Sequence, residues 1–189
     1  ETRGAADRGA PWLADLQRVP AGVREVIGSR LNRLSPLCNH ALGNAAVIGR
    51  RFDFELLMSL LDESSEDELL AVLDEARSAS LIEALPEPAT YQFTHALIRD
   101  ALCDEMPAPR RMRVHQRIAT TLERLHGSDP APWLSALAHH YGAAGTAGST
   151  AKAVEYARRA AAHAEATLAY EEAGRLYTEA LRAIEPARE

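Results

Sequence analysis

Tyr91 to Leu125 reads YQFTHALIRDALCDEMPAPRRMRVHQRIATTLERL, and no other stretch restricts the fold as tightly. A short alternating run, Tyr91-Gln92-Phe93-Thr94, meets a helix start at His95. Pro107 and Pro109 then end that helix, because proline lacks the N–H a helix interior needs and its ring clashes with the preceding turn. A long Arg-rich helix follows. The chain is therefore read as two units meeting here, residues 20–107 ahead of the break and 108–189 behind it. Residues 1–19 show no sustained period and are read as a linker or the tail of an upstream domain.

Within the first unit, Pro20 opens a helix whose Val23, Ile27, Leu31 and Leu34 share one face. Ser35-Pro36 restarts the helix as an N-cap followed by proline at the first helical position, and Leu37, Ala41, Ala45 and Ile48 form a buried face ending near Gly49. Asp53 caps a short helix with Leu56, Leu57, Leu60 and Leu61 as core candidates. Ser65 and Glu68 have capping-box spacing, ahead of Leu69, Leu73 and Ala76 in a helix that stops near Ser80. Leu81 to Leu85 and Tyr91 to Thr94 flank the turn-rich Pro86-Glu87-Pro88-Ala89 and read as a hairpin with a long loop. Three helices followed by a hairpin is the order of a winged helix.

The next helix, about 95–106, is expected to bury Leu97, Ile98, Ala101 and Leu102. The one after it, 108–126, places Met112, His115, Ile118, Leu122 and Leu125 on one face. Beyond Gly127-Ser128-Asp129-Pro130, helical segments are expected over about 131–144, 150–166 and 169–185. Alanines crowd the middle segment, and small residues let neighbouring helices approach closely, as in a stacked array of helical hairpins. The expected fold class is mainly α: a winged-helix domain with a small β-hairpin, followed by antiparallel helices resembling tetratricopeptide repeats.

Composition removes several functions. A net charge of −6 opposes a main task of binding nucleic acid, which needs a basic surface to neutralise phosphates. From Asp53 to Ala76 there are nine acids and no Lys or Arg, so a recognition helix placed there would be repelled by DNA. The helix from 108 to 126 carries Arg110, Arg111, Arg113, Arg117 and Arg124, read as a solvated face or a partner to those acids. Only one of the 21 basic residues is a lysine, Lys152, and no Gly-rich loop precedes it, so no P-loop of the usual kind can form. No apolar run approaches a membrane span.

Candidate catalytic and metal-binding residues are also sparse. No nucleophile signature is present, so no catalytic residue is assigned. His139 and His140 are helix neighbours whose side chains leave the axis about 100° apart, and His95 and His115 have no ligand at short spacing, so no metal site is assigned. His115 lies on an apolar face and is read as a core histidine. Cys38 and Cys103 sit among apolar helix residues and are read as buried thiols, with a reducing cytoplasm as the expected compartment. The chain begins at Glu1 and its last helical pattern runs to the end, so it is read as a piece of a longer protein.

Several motifs occur in a fixed order: Pro20 with Arg30-Leu31 and Leu34; Ala45-Ala46-Val47-Ile48-Gly49 with Phe52; Tyr91, Phe93, His95 and Leu97-Ile98-Arg99; Arg110-Arg111 with His115; and Leu137-Ala138, His140-Tyr141, Ala153, Tyr156, Tyr170 and Ala173. Over residues 20–186 this set resembles the signal-transduction ATPases with numerous domains, as found in large LuxR-type transcriptional regulators and in multidomain nucleotide cyclases. Cys103, often aromatic in that family, departs from the pattern.

The resemblance implies a non-catalytic regulatory segment. A P-loop ATPase module holding ATP or ADP would lie upstream, with the winged helix as a switch arm and the helical repeats as a sensor or scaffold for a protein or small-molecule effector. It implies signal transduction and transcription regulation by the parent, with no cofactor in this segment, no direct DNA binding and no membrane contact. A cyclase-type parent and an autonomous DNA-binding winged helix are the alternatives. His95, at a helix N-terminus where free N–H groups favour anions, with Arg99 one turn on, is the implied contact to the parent's nucleotide phosphate. The competing role for His95 is to close the hairpin against the helix by a side-chain hydrogen bond.

Overall fold

The structure, a computed structural model, describes residues 28–61 and 64–184, so most of the helix expected from Pro20 lies outside the described residues. Helix α1, Pro36–Ile48, starts where Ser35 Oγ accepts the Cys38 amide at 3.1 Å, with proline in its first turn. Its residues from Ala41 to Val47 are all buried, so it runs through the interior rather than along the surface. Ala41, Ala45 and Ala46 let other helices come close to it. Gly49 ends it with φ 155°, a value that side chains rarely tolerate, and turns the chain into a strand.

That strand, β1 (Arg51–Asp53), was not expected from the sequence, since three residues are too few to show alternation. Asp53 closes it and caps helix α2, Phe54–Ser59, by accepting the Leu56 amide at 2.7 Å. Helix α3, Glu66–Ser78, begins with the expected capping box between Ser65 and Glu68. The hairpin strands are β2, Ile82–Ala84, and β3, Thr90–Phe93. β3 pairs antiparallel with both others, Phe52 opposite Tyr91 and Ile82 opposite Phe93, giving the order β1-β3-β2. A helix, a strand, two helices and a hairpin, with the first strand against the hairpin's last, is the arrangement of a winged helix. Phe52 and Phe93, both buried, meet at 5.6 Å between rings on the core face of this sheet.

Helix α4, Ala96–Glu105, buries Ile98, Ala101 and Leu102 against α1, whereas Leu97, expected inside, is 40 % exposed. Helix α5, Ala108–His126, also departs from the expected face: Val114, His115, Ile118, Ala119 and Leu122 are buried, Met112 is exposed and Leu125 half-buried. The stripe is turned because α5 has two neighbours to cover, α1 with α2 on one side and the next helix on the other. After a 3₁₀ turn at Ala131–Trp133 come α6 (Leu134–Ala144), α7 (Ala147–Ala166) and α8 (Tyr170–Ile184). Helix α7 starts three residues before the expected position, with Thr146 accepting the Ser149 amide. Each helix packs on the next, α5 on α6, α6 on α7 and α7 on α8, with Ala157, Ala160, Ala161 and Ala164 in the contact.

The fold is mainly helical with a small three-stranded antiparallel sheet. Two apolar clusters hold it together. One joins α1, α3, α4 and the sheet through Leu42, Leu69, Leu73, Leu81 and Phe93. The other joins α5 to α8 through Ile118, Leu122, Leu137, Tyr141 and Leu176, and it also contains Val47, Leu56 and Leu60 from the first unit. Among the described residues no helix is long and apolar enough to cross a membrane.

Candidate functional site

His95 stands at the N-cap of α4 in extended conformation, exposed, and its side chain makes no capping bond. The hairpin is closed by its neighbour: Thr94 Oγ1 donates to Ser80 and Leu81 carbonyls at 2.9 and 3.2 Å, and the Thr94 amide donates to Leu81. The hairpin-closing bonds are thus made by Thr94, and the His95 side chain makes no bond to the first turn of α4.

Arg99 is engaged elsewhere. Its Nε donates to the Ala46 carbonyl at 3.1 Å and its Nη1 pairs with Asp100 at 3.1 Å. Cys103 Sγ reaches the same Ala46 oxygen at 3.3 Å. The last turn of α1 has carbonyls with no partner inside the helix, and side chains from α4 satisfy one of them. Arg99 therefore ties α4 to α1.

The helix before the hairpin turns its charges outward. On α3, Glu66, Asp67, Glu68 and Asp74 are exposed, and Arg77 is paired with Asp74 at 3.0 Å. A phosphate backbone approaching this face meets carboxylates. Of the arginines of α5, Arg110, Arg113 and Arg124 are exposed, Arg111 donates to the Cys103 carbonyl at 2.7 Å, and Arg117 reaches the Ser59 carbonyl at 3.5 Å. Cys38 and Cys103 are both free thiols; burial, aided by the Glu75 charge, pushes Cys38 up to about 12.

The chain's one lysine has a fixed place between α5, α6 and α7. Glu123 of α5 accepts from Lys152 Nζ at 2.6 Å, from Tyr141 OH at 2.5 Å and from Tyr156 OH at 2.7 Å. The two tyrosine rings stack in parallel, 5.8 Å apart, and Lys152 lies 5.0 Å from the Tyr141 ring centre. Burial opposes the Glu123 charge, but the three donors outweigh it and hold the carboxyl down to about 2. Burial and the carboxylate beside it push the Tyr156 hydroxyl up to about 12. No local pattern announces this group, since its members are 18 to 33 residues from Glu123.

The histidines overturn the geometric expectation. His115 Nδ1 of α5 and His140 Nδ1 of α6 are 2.8 Å apart, and the two residues are 9 % and 3 % exposed. His139 lies at the rim, its ring centre 5.6 Å from His115 and 5.1 Å from His140. One ring nitrogen from each residue falls within 4.8 Å of the others. The 100° between neighbouring side chains separates their Cβ directions but not the ends of long side chains leaning over a facing helix. His115 is buried, as read from the sequence, yet it is not alone. Burial, then the His139 charge, lowers His115 to about 4 and His140 to about 3, so both are neutral at physiological pH. His140 also borders a cleft of about 310 Å³ at the joint of the two units, lined by Arg51, Asp53, Leu56 and Trp133.

No protein-family model, curated protein or solved structure matches the chain.

Proposed function

We propose that this chain is a non-catalytic regulatory segment, a winged-helix arm fused to the first helices of a tetratricopeptide-like array. In this reading it passes the nucleotide state of an ATPase module in the same polypeptide to a protein or small-molecule effector held by the repeats. The parent would then be an ATP-dependent, LuxR-type transcriptional regulator working in the cytoplasm. The observation that carries the reading is the shared core. Val47, Leu56 and Leu60 belong to the winged unit by chain position and to the helical array by packing. Close-packed interiors transmit displacement because they cannot deform without losing contacts.

A path of contacts supports it. His95 heads α4, Arg99 of α4 holds the Ala46 carbonyl, and the next residue, Val47, is buried among α5 to α8. A ligand that engages the N-terminus of α4 would bias that path if it favours one position of the helix. The acidic outer face of α3 favours a protein-facing or nucleotide-module-facing role over DNA binding.

The test is hydrogen exchange on the full-length gene product with ATP, with ADP and without nucleotide. Protection across α5 and α6 is expected to differ between nucleotides, and His95→Ala is expected to weaken ADP retention without lowering this segment's melting temperature. A full-length product that binds neither nucleotide overturns the reading.

A further inference from the structure

We propose that His115, His139 and His140 form a three-imidazole site for a late first-row transition-metal ion of the Zn²⁺ class, clamping α5 to α6 with one coordination position open to solvent. Three ring nitrogens, one from each residue, already lie within 4.8 Å of one another. Two of the rings are fixed by burial, and the third sits at the surface where it can turn.

The contact between the two buried rings restricts their protonation. Two imidazole nitrogens 2.8 Å apart share one proton, one donating and the other accepting, so the rings cannot both be charged, and their burial disfavours a charge on either. Neutral imidazole is the form that binds metal. When an ion enters, the shared proton moves to the Nε2 of its own ring, which frees both Nδ1 lone pairs and leaves all three rings neutral.

Tetrahedral zinc with Zn–N near 2.0–2.1 Å sets its ligand nitrogens roughly 3.3 Å apart. The His115–His140 pair must open by about half an ångström from its hydrogen-bonded distance, and His139 must swing inward from the rim. The donor set chooses the metal. Three nitrogens with no carboxylate suit Zn²⁺, Cu²⁺, Ni²⁺ or Co²⁺ and are poor ligands for Ca²⁺ and Mg²⁺, which take oxygen. Three protein ligands on one side and solvent beyond the rim leave a fourth position for water. Arg99 and Arg111 put positive charge nearby, but both guanidinium groups are held by carbonyls, Ala46 and Cys103 respectively.

The site is tested on the 189-residue chain by thermal melts with Zn²⁺ or Mg²⁺ and by the visible absorption of Co²⁺. Zn²⁺ is expected to raise the melting temperature, since an ion that binds only the folded state stabilises it. Mg²⁺ is expected to do nothing, and Co²⁺ to give the intense bands of tetrahedral coordination. His139→Ala leaves the buried pair untouched and is expected to fold normally while weakening Zn²⁺ binding by at least about tenfold, the lower end of what losing even a supporting partner costs such sites. His163→Ala, on the exposed side of α7, is expected to keep full affinity. No Zn²⁺ stabilisation, or one that survives His139→Ala at equal affinity, overturns the proposal.

Discussion

Glu123 accepts three hydrogen bonds from two other helices, and its charge is what makes them strong, because hydrogen bonds to an ionised group exceed neutral ones. Glu123→Gln keeps the shape and removes the charge. With Lys152 44 % exposed and so partly screened, the expected loss is about 1–2 kcal/mol at neutral pH. For a chain of this size that lowers the melting temperature by roughly 2–8 °C. The folded carboxyl is held at about 2 against an ordinary 4.5, so its stabilisation is complete above 4.5 and is lost as pH falls toward 2. Thermal melts at about pH 7 and about pH 3 check the sign: the gap between the two proteins narrows on acidification, and an equal gap at both argues against a charge-based role. Neither this group nor the histidine cluster was legible in the sequence. Their members are local to nothing, drawn from helices whose facing was still undetermined. His95 was different, because a helix start is a local event; of the two roles the sequence left open for it, the hairpin closure is made by its neighbour Thr94.

Helix starts were the most legible elements, since a cap is decided by a few adjacent residues. Ser35, Asp53 and Ser65 all accept amides where expected. Strand β1 was not legible, because three residues pair only once β3 is in place beside them. The buried faces of α4 and α5 were read partly wrong for a related reason: periodicity finds a stripe, but the neighbours decide its width and phase. Caps differ in reach too. Ser65 is bonded only within its own turn, whereas the Glu75 carboxylate of α3 accepts from both the amide and the hydroxyl of Ser35, at 2.6 and 2.7 Å. Those two bonds hold the Glu75 carboxyl below its ordinary range. Ser35→Ala therefore removes a helix cap together with one of the two bonds of a helix-to-helix tie, the amide bond remaining. A double-mutant cycle of Ser35→Ala with Glu75→Gln, read by urea unfolding, is expected to show coupling of about 0.5–3 kcal/mol. The same cycle with Ser65→Ala in place of Ser35→Ala should be additive, and additivity in both would reduce Ser35 to an ordinary cap.

At the scale of the whole chain, the proline break at 107–109 divides the sequence more sharply than it divides the structure. The break is real in the backbone, where α4 ends at Glu105 and α5 begins at Ala108. The apolar interior ignores it, because α1 and α2 each place residues in the cluster of the helical array. Units that share a core lose their packing together, so the two halves are expected to unfold as one. Leu73 offers a direct test, being fully buried in the first cluster and absent from the second. Leu73→Ala is expected to cost about 2–5 kcal/mol. Trp133, packed at the edge of the second cluster, reports on the other half, and Trp12→Phe makes it the sole tryptophan. In that background the fluorescence midpoint of Trp133 in urea should fall with Leu73→Ala by the same amount as the midpoint from circular dichroism. A Trp133 transition that stays in place while part of the helical signal melts early would separate the two halves, and with them the rigid connection on which the regulatory reading depends.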